Sequence, residues 1–146
     1  MEHLSADNIL VPVSAGELYD KITILLIKQE RLSDAGKLAN VGLELDLLRK
    51  VEERLSNRAA CDALVAELLA INQSLWDIED GKRAHERRQD FGAEFVELAR
   101  QVYIRNDRRA AVKRRINEVM GSTIVEEKSH DLSQWQAGND AEKQGA

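Results

Sequence analysis

Apolar positions recur along this chain at three- and four-residue intervals, the spacing that lines up one face of an α-helix. Leu18, Ile22, Leu25 and Leu32 form the first such stripe, which predicts a helix over residues 15–33 that stops at Asp34-Ala35-Gly36. Ser14 and Glu17 make an S-x-x-E capping box at its start, in which hydroxyl and carboxylate each answer a free backbone amide. Pro12 fixes the backbone just before it, so residues 8–13 read as extended. Ile24 and Ile27 fall outside the stripe, leaving this helix apolar on more than one side. It is either the central helix of the fold or part of a dimer interface.

A second helix is predicted over residues 37–56, with Leu38, Val41, Leu45, Leu48, Val51 and Leu55 facing inward and a charged, solvated outer face. The third spans residues 61–87 on Leu64, Leu68, Ile71, Leu75 and Ile78. Gly81 inside it costs roughly 1 kcal/mol relative to Ala and predicts a local kink. The fourth starts after residues 89–92, covers residues 95–120 and ends at Gly121, a natural C-terminal cap. Short connections make the fold class all-α: an up-down four-helix bundle with long third and fourth helices. Residues 1–13 form an extended N-terminal segment, residues 14–121 the bundle, and residues 122–146 a tail expected to be disordered beyond about 130.

The fourth helix changes character halfway. Phe95, Leu98, Ala99 and Val102 give an apolar stripe that continues as Asn106, Arg109, Lys113 and Asn117 before Ile116 and Met120 return. An up-down topology brings the start of the first helix, the start of the third and the end of the fourth to one end of the bundle. Glu17, Asp20 and Lys21 then face Arg109, Lys113 and Asn117, with Asn72 toward the middle and Asn106 one turn further along. This set is either an internal ion-pair network that sets helix register or a pocket whose spare cations hold a carboxylate or phosphate. A second polar cluster, Trp76, Asp77, Glu79, Asp80, Arg83 and Glu86, is expected at the opposite end, with Glu79 and Arg83 as an ordinary i,i+4 pair.

Composition narrows the classes. Of 146 residues, 43% are hydrophobic, 32% charged and 4% aromatic, with a single proline, which suits helices and not a sheet. The net charge of −5 argues against a general nucleic-acid binder. Residues 82–115 do hold eleven Lys and Arg against five Asp and Glu, leaving room for an anionic partner there. Arg105, Arg108, Arg109, Lys113, Arg114 and Arg115, however, point around much of the helix with only Tyr103 to stack on a base, so nucleic acid is disfavoured. Cys61 is the single cysteine, which excludes an internal disulfide and a thiolate cluster and leaves a structural thiol. His3, His85 and His130 sit in polar, exposed-looking surroundings, which disfavours a histidine-based site. No phosphate loop, nucleophile elbow, zinc spacing or paired Glu-x-x-His pattern is present, so neither metal nor cofactor is expected. The apolar run 22–27 is too short to span a bilayer, and the first residues lack a signal layout, so a cytoplasmic location is expected.

Several stretches carry a family likeness: residues 13–25 (VSAGELYDKITIL), 37–41, 75–80 (LWDIED), 102–107 (VYIRND), 113–117 (KRRIN) and 121–128 (GSTIVEEK). Together they resemble an uncharacterised bacterial family of small helical proteins associated with glycosyltransferases of surface-polysaccharide assembly. That resemblance implies a bacterial cytoplasmic protein in a glycan pathway and supplies no catalytic residue. A looser likeness, in residue types alone, is to helical chorismate-mutase bundles, where cations enclose a dicarboxylate; Lys21, Lys28, Arg109, Lys113 and Asn117 offer such types, but the ordered motif is absent.

Two functions follow from this reading. One is a non-catalytic accessory or adaptor protein, homodimeric through its first helix, with a protein partner in lipopolysaccharide or capsule biosynthesis. The other is a small enzyme or sensor that binds a sugar phosphate, nucleotide sugar or dicarboxylate in the polar centre. The first expects mutually neutralised cations and no cavity; the second expects an open pocket with cationic charge to spare.

Overall fold

The computed structural model describes residues 8–130. Within them the chain forms α1 (Ala15–Arg31), α2 (Ala35–Glu52), α3 (Asp62–Arg88) and α4 (Ala93–Met120), with a 3-10 turn at Arg58–Cys61 between α2 and α3. These described residues contain no strand, and the all-α four-helix bundle is as the periodicity predicts. The tail beyond residue 130, expected to be disordered, lies outside the described residues.

α1 is the central helix. It packs against α2, α3 and α4, and Leu18, Tyr19, Ile22, Leu25 and Ile27 are all buried. Much of its unusually broad apolar surface is therefore used within one chain, while Ile24 and Leu26 stay half-buried. Leu32 turns extended at ψ 146°, which ends α1 two residues earlier than expected. The Asp34 carboxylate then accepts from the Lys37 amide at 2.8 Å, so α2 starts at Ala35 and takes Gly36 inside it. α2 is already finished at Glu52, four residues short of the expected end, where its last amides turn back through Leu55.

α2 packs chiefly on α1, through buried Val41 and Leu45. Leu43, Leu47 and Val51 stand exposed on its other side, so the outer face is not the purely charged one expected, and Val51 does not join the inward stripe. α3 runs unbroken through Gly81. A Cβ at Gly81 would lie 3.1 Å from Leu98 Cδ1, so the glycine lets α3 and α4 approach closely. At their far end Phe91 and Phe95 pack edge to face at 5.2 Å. His85 is buried there against Phe95, contrary to the exposed setting expected, because the α3–α4 hairpin folds over it; its Nδ1 lies 3.1 Å from the Asp90 carbonyl oxygen. Cys61, the last residue of the 3-10 turn, is fully buried, and burial pushes its thiol above the ordinary value. No helix among the described residues is long and apolar enough to cross a membrane.

Candidate functional site

The up-down order places the first turns of α1 against the last turns of α4, and the polar centre forms where they meet. Its anchor is Asp20, 2% exposed on an otherwise apolar stretch of α1. Asp20 Oδ1 accepts from Arg109 Nε at 2.9 Å and from Asn72 Nδ2 at 3.0 Å, and Oδ2 accepts a second Arg109 bond. The guanidinium thus clasps the carboxylate in the two-pronged geometry that suits an arginine and an aspartate. Asn72 also donates to Thr23 Oγ1 at 3.0 Å, and that hydroxyl donates to the Asp20 carbonyl at 2.9 Å. Thr23 is a member of the centre that the sequence hid inside an apolar run.

Lys113, one turn beyond Arg109, donates to Glu17 Oε2 at 2.7 Å and to Glu126 Oε2 at 3.1 Å, with Asp20 Oδ2 at 3.8 Å. Only the first half of the capping box forms. Ser14 Oγ accepts from the Glu17 amide at 3.2 Å, while the Glu17 carboxylate turns away toward Lys113. The other free amides at the start of α1 are answered from α4 and the segment after it. Gly16 N–H donates to Asn117 Oδ1 at 2.7 Å, and Ala15 N–H donates to Ser122 Oγ at 3.4 Å. A helix start that could have held an anion is closed by side chains.

Electrostatics follow the same pairing. Burial alone would raise the Asp20 carboxyl, but the hydrogen bonds from Arg109 and Asn72 and the two nearby cations hold it below its ordinary value. Burial likewise pushes Glu17 up, and the Lys113 bond and charge bring it below the usual range. Lys113 is driven down by burial yet ends above its ordinary value because of Glu17, Glu126 and Asp20. The bond to Asp20 raises Arg109 further. Asp20, Glu17, Lys113 and Arg109 are thus each shifted so that the charged form is favoured.

Of the residues expected here, Glu17, Asp20, Asn72, Arg109, Lys113 and Asn117 converge. Lys21 stays at the exposed rim, 3.7 Å from Glu17. Asn106 makes no hydrogen bond among the described residues; with Arg109, Lys113 and Lys128 it lines an open depression of about 280 Å³. Glu126 and Lys128 enter from the segment after α4, which no helical periodicity covers. After Gly121, in the left-handed region at φ 68°, the chain doubles back along α4. There Glu127 lies 3.7 Å from Arg114 and Lys128 lies 2.7 Å from Asp107.

The second cluster does not stand apart at the opposite end. Trp76, Glu79, Asp80 and Arg83 line a cleft of about 370 Å³ that also includes Ile24, Ile27, Leu75 and, from the centre, Asn72 and Arg109. Parallel packing of α1 and α3 brings both clusters to this one groove. Glu79 pairs with Lys82 at 3.3 Å and not with Arg83, which has no ion-pair partner among the described residues; Glu86 is exposed outside the cleft. A further open depression, about 640 Å³, lies between the end of α2 and the 3-10 turn, with Tyr19, Arg49, Glu52 and Arg58 on its walls. Nothing in the periodicity pointed to it. No group of three His, Cys, Asp or Glu side chains among the described residues is placed to hold a metal ion.

No curated protein and no solved structure matches this chain. Its match is to a family model that covers residues 9–137 and so takes in all four helices, the polar centre and the returning segment. The chain belongs to the family of unknown function DUF6165.

Proposed function

We propose that the protein is a non-catalytic accessory or adaptor protein of the bacterial cytoplasm, serving surface-glycan assembly. The observation that supports this most is the self-neutralised centre: Asp20 takes Arg109, while Glu17 and Glu126 take Lys113. Three carboxylates and three cations, counting Lys21 at the rim, balance one another, although Arg109 and Lys113 also line an open depression of about 280 Å³ that this reading did not expect. The buried polar atoms there are hydrogen-bonded, as in a structural network. Exposed apolar residues in the segment Ile9, Leu10 and Val11 offer contact surface for other proteins. The glycan pathway and the bacterial cytoplasm rest on the motif likeness alone. Self-association is also part of this reading.

The second reading keeps a sensor or small enzyme for a sugar phosphate, nucleotide sugar or dicarboxylate. It is favoured by one feature, the cleft in which Arg83 carries an unpaired positive charge beside Trp76. A thermal-shift series with sugar phosphates, nucleotide sugars and dicarboxylates separates the two, because a ligand that binds only the folded state raises its melting temperature. The adaptor reading expects no saturable rise. A saturable rise that disappears in Arg83→Ala, an exposed position whose loss leaves the fold intact, would replace it with the second reading.

A further inference from the structure

α2 meets α1 through Val41 and Leu45, and the opposite side of the helix is bare. There Leu43, Leu47 and Val51 follow one another in steps of four, 65%, 41% and 45% exposed. At about 100° per residue the row winds through only about 80°, so all three share one narrow strip roughly opposite the buried face. Asp46 and Lys50 lie on one flank of the strip, and neither makes an ion pair among the described residues.

We propose that two copies of this chain pair antiparallel through this face of α2, about a twofold axis beside Leu47. Such an axis makes the strip complementary to itself. Leu47 meets Leu47 of the second copy, and Leu43 meets its Val51. In an antiparallel pair each flank also faces the same flank of the other helix. Lys50 then lies about 3 Å along the axis from Asp46 of the second copy, and the symmetry repeats that pair; the two Asp46 carboxylates lie about as far apart along the axis, so the two lysines flank and offset them. Parallel pairing would turn the Asp46–Lys50 flank toward the opposite flank, where the nearest carboxylate, Glu44, is about 9 Å away along the axis. Opposed helix dipoles favour the antiparallel arrangement as well. Two crossing helices of 18 residues give less contact than the roughly 800 Å² per partner of a standard interface, so the dimer is weak and concentration-dependent. The surface differs from the polar centre and does not depend on what that centre does.

Sedimentation velocity of the full chain over a concentration series tests this. The unmodified chain should pass from monomer to dimer. Leu47→Asp, which sets two carboxylates face to face on the axis, should weaken association by about tenfold or more. Asp46→Lys and Lys50→Asp should each weaken it, and the double swap Asp46→Lys/Lys50→Asp should recover most of the loss, because the pair is restored with its charges exchanged. All these side chains are exposed, and circular dichroism checks that the helices remain. A chain that stays monomeric throughout, a dimer indifferent to Leu47→Asp, or a double swap no better than its parents would each overturn the proposal.

Discussion

Replacing Gly16 by alanine tests the contact on which the whole centre is built. A Cβ at Gly16 would lie 2.5 Å from the Lys113 carbonyl oxygen, 2.9 Å from Asn117 Oδ1 and 3.0 Å from the Lys113 carbonyl carbon. Two of these atoms are backbone inside α4, which cannot swing aside as a side chain would. The first contact must open from 2.5 Å to at least 3.0 Å, so α1 and α4 have to separate or slide. Overpacking of this kind costs about 1–3 kcal/mol, and straining the Gly16–Asn117 bond adds about 1 kcal/mol. Better helix propensity gives back at most about 1 kcal/mol. The net expectation is a loss of about 2 kcal/mol, or roughly 6–8 °C in melting temperature for a chain of this size. Gly42→Ala is the control: its Cβ would meet nothing within 4 Å, so the same chemical change in α2 should stabilise by up to about 1 kcal/mol. Urea unfolding followed by circular dichroism measures both. If Gly16→Ala proves as stable as the parent, the close approach of α1 to α4 is wrong, and so is the centre derived from it.

Three further outcomes follow from the centre and the segment that covers it. Asp20→Asn leaves Arg109 without its carboxylate and should cost about 3 kcal/mol, toward the lower end for a broken buried pair because the arginine keeps 30% of its side chain in solvent; a urea midpoint within error of the parent's would refute it. Asp20 and Glu17 titrate below their ordinary values of 3.8 and 4.5, so their contribution is complete above that range and is lost as pH falls through the depressed values. Lys113 is raised above 10.5, so its share is complete below that pH and fades as pH rises through the raised value. Unfolding curves across pH should show both flanks, and Asp20→Asn should flatten the acid one; an identical acid flank in the variant would sink the assignment. The segment after Gly121 is tied to α4 by Glu126–Lys113, Glu127–Arg114 and Lys128–Asp107, while Ile124 and Val125 stay largely exposed, so charge holds it more than burial does. A spin label at Val125→Cys, with Cys61 too buried to react, should gain mobility as salt screens those pairs. Mobility unchanged by salt would mean the segment is held some other way.

The sequence made the helices readable because their buried faces repeat at the helical period and their ends are marked by Ser14, Asp34 and Gly121. The meeting of Asp20 with Arg109 was readable too, since charges that interrupt an apolar stripe must find partners once the topology brings two such interruptions together. What stayed hidden has specific causes. Val51 follows Leu48 at a three-residue step, but at about 100° per residue it lies about 80° from Val41 and about 120° from Leu45, on the side of the exposed strip. Glu17 satisfies the capping-box pattern, yet a charged lysine outbids a backbone amide for its carboxylate, a competition the motif alone does not reveal. Glu126 and Lys128 belong to no periodic pattern, so their place over α4 depends on a chain reversal at Gly121 that spacing cannot predict. His85 looks exposed in the sequence because its neighbours there are charged, while the residue that covers it, Phe95, arrives from the next helix.

The arrangement also says what an anion would have to do to use this centre. Lys113 is only 12% exposed, and its ammonium is already held by Glu17 and Glu126 with Asp20 behind them. An incoming phosphate would displace Glu126, the one of the three that arrives on an exposed segment, and would then meet the negative charge of the other two. Asp20 cannot move aside, because Arg109, Asn72 and the turn of α1 all fix it. The same contacts make the network an effective register lock. Sliding α4 by one turn along α1 would exchange Arg109 for Lys113 opposite Asp20 and replace a two-pronged clasp with a single point charge. It would also strand Asn117 away from the Gly16 amide. Charge at this end of the bundle therefore selects one alignment of the outer helices.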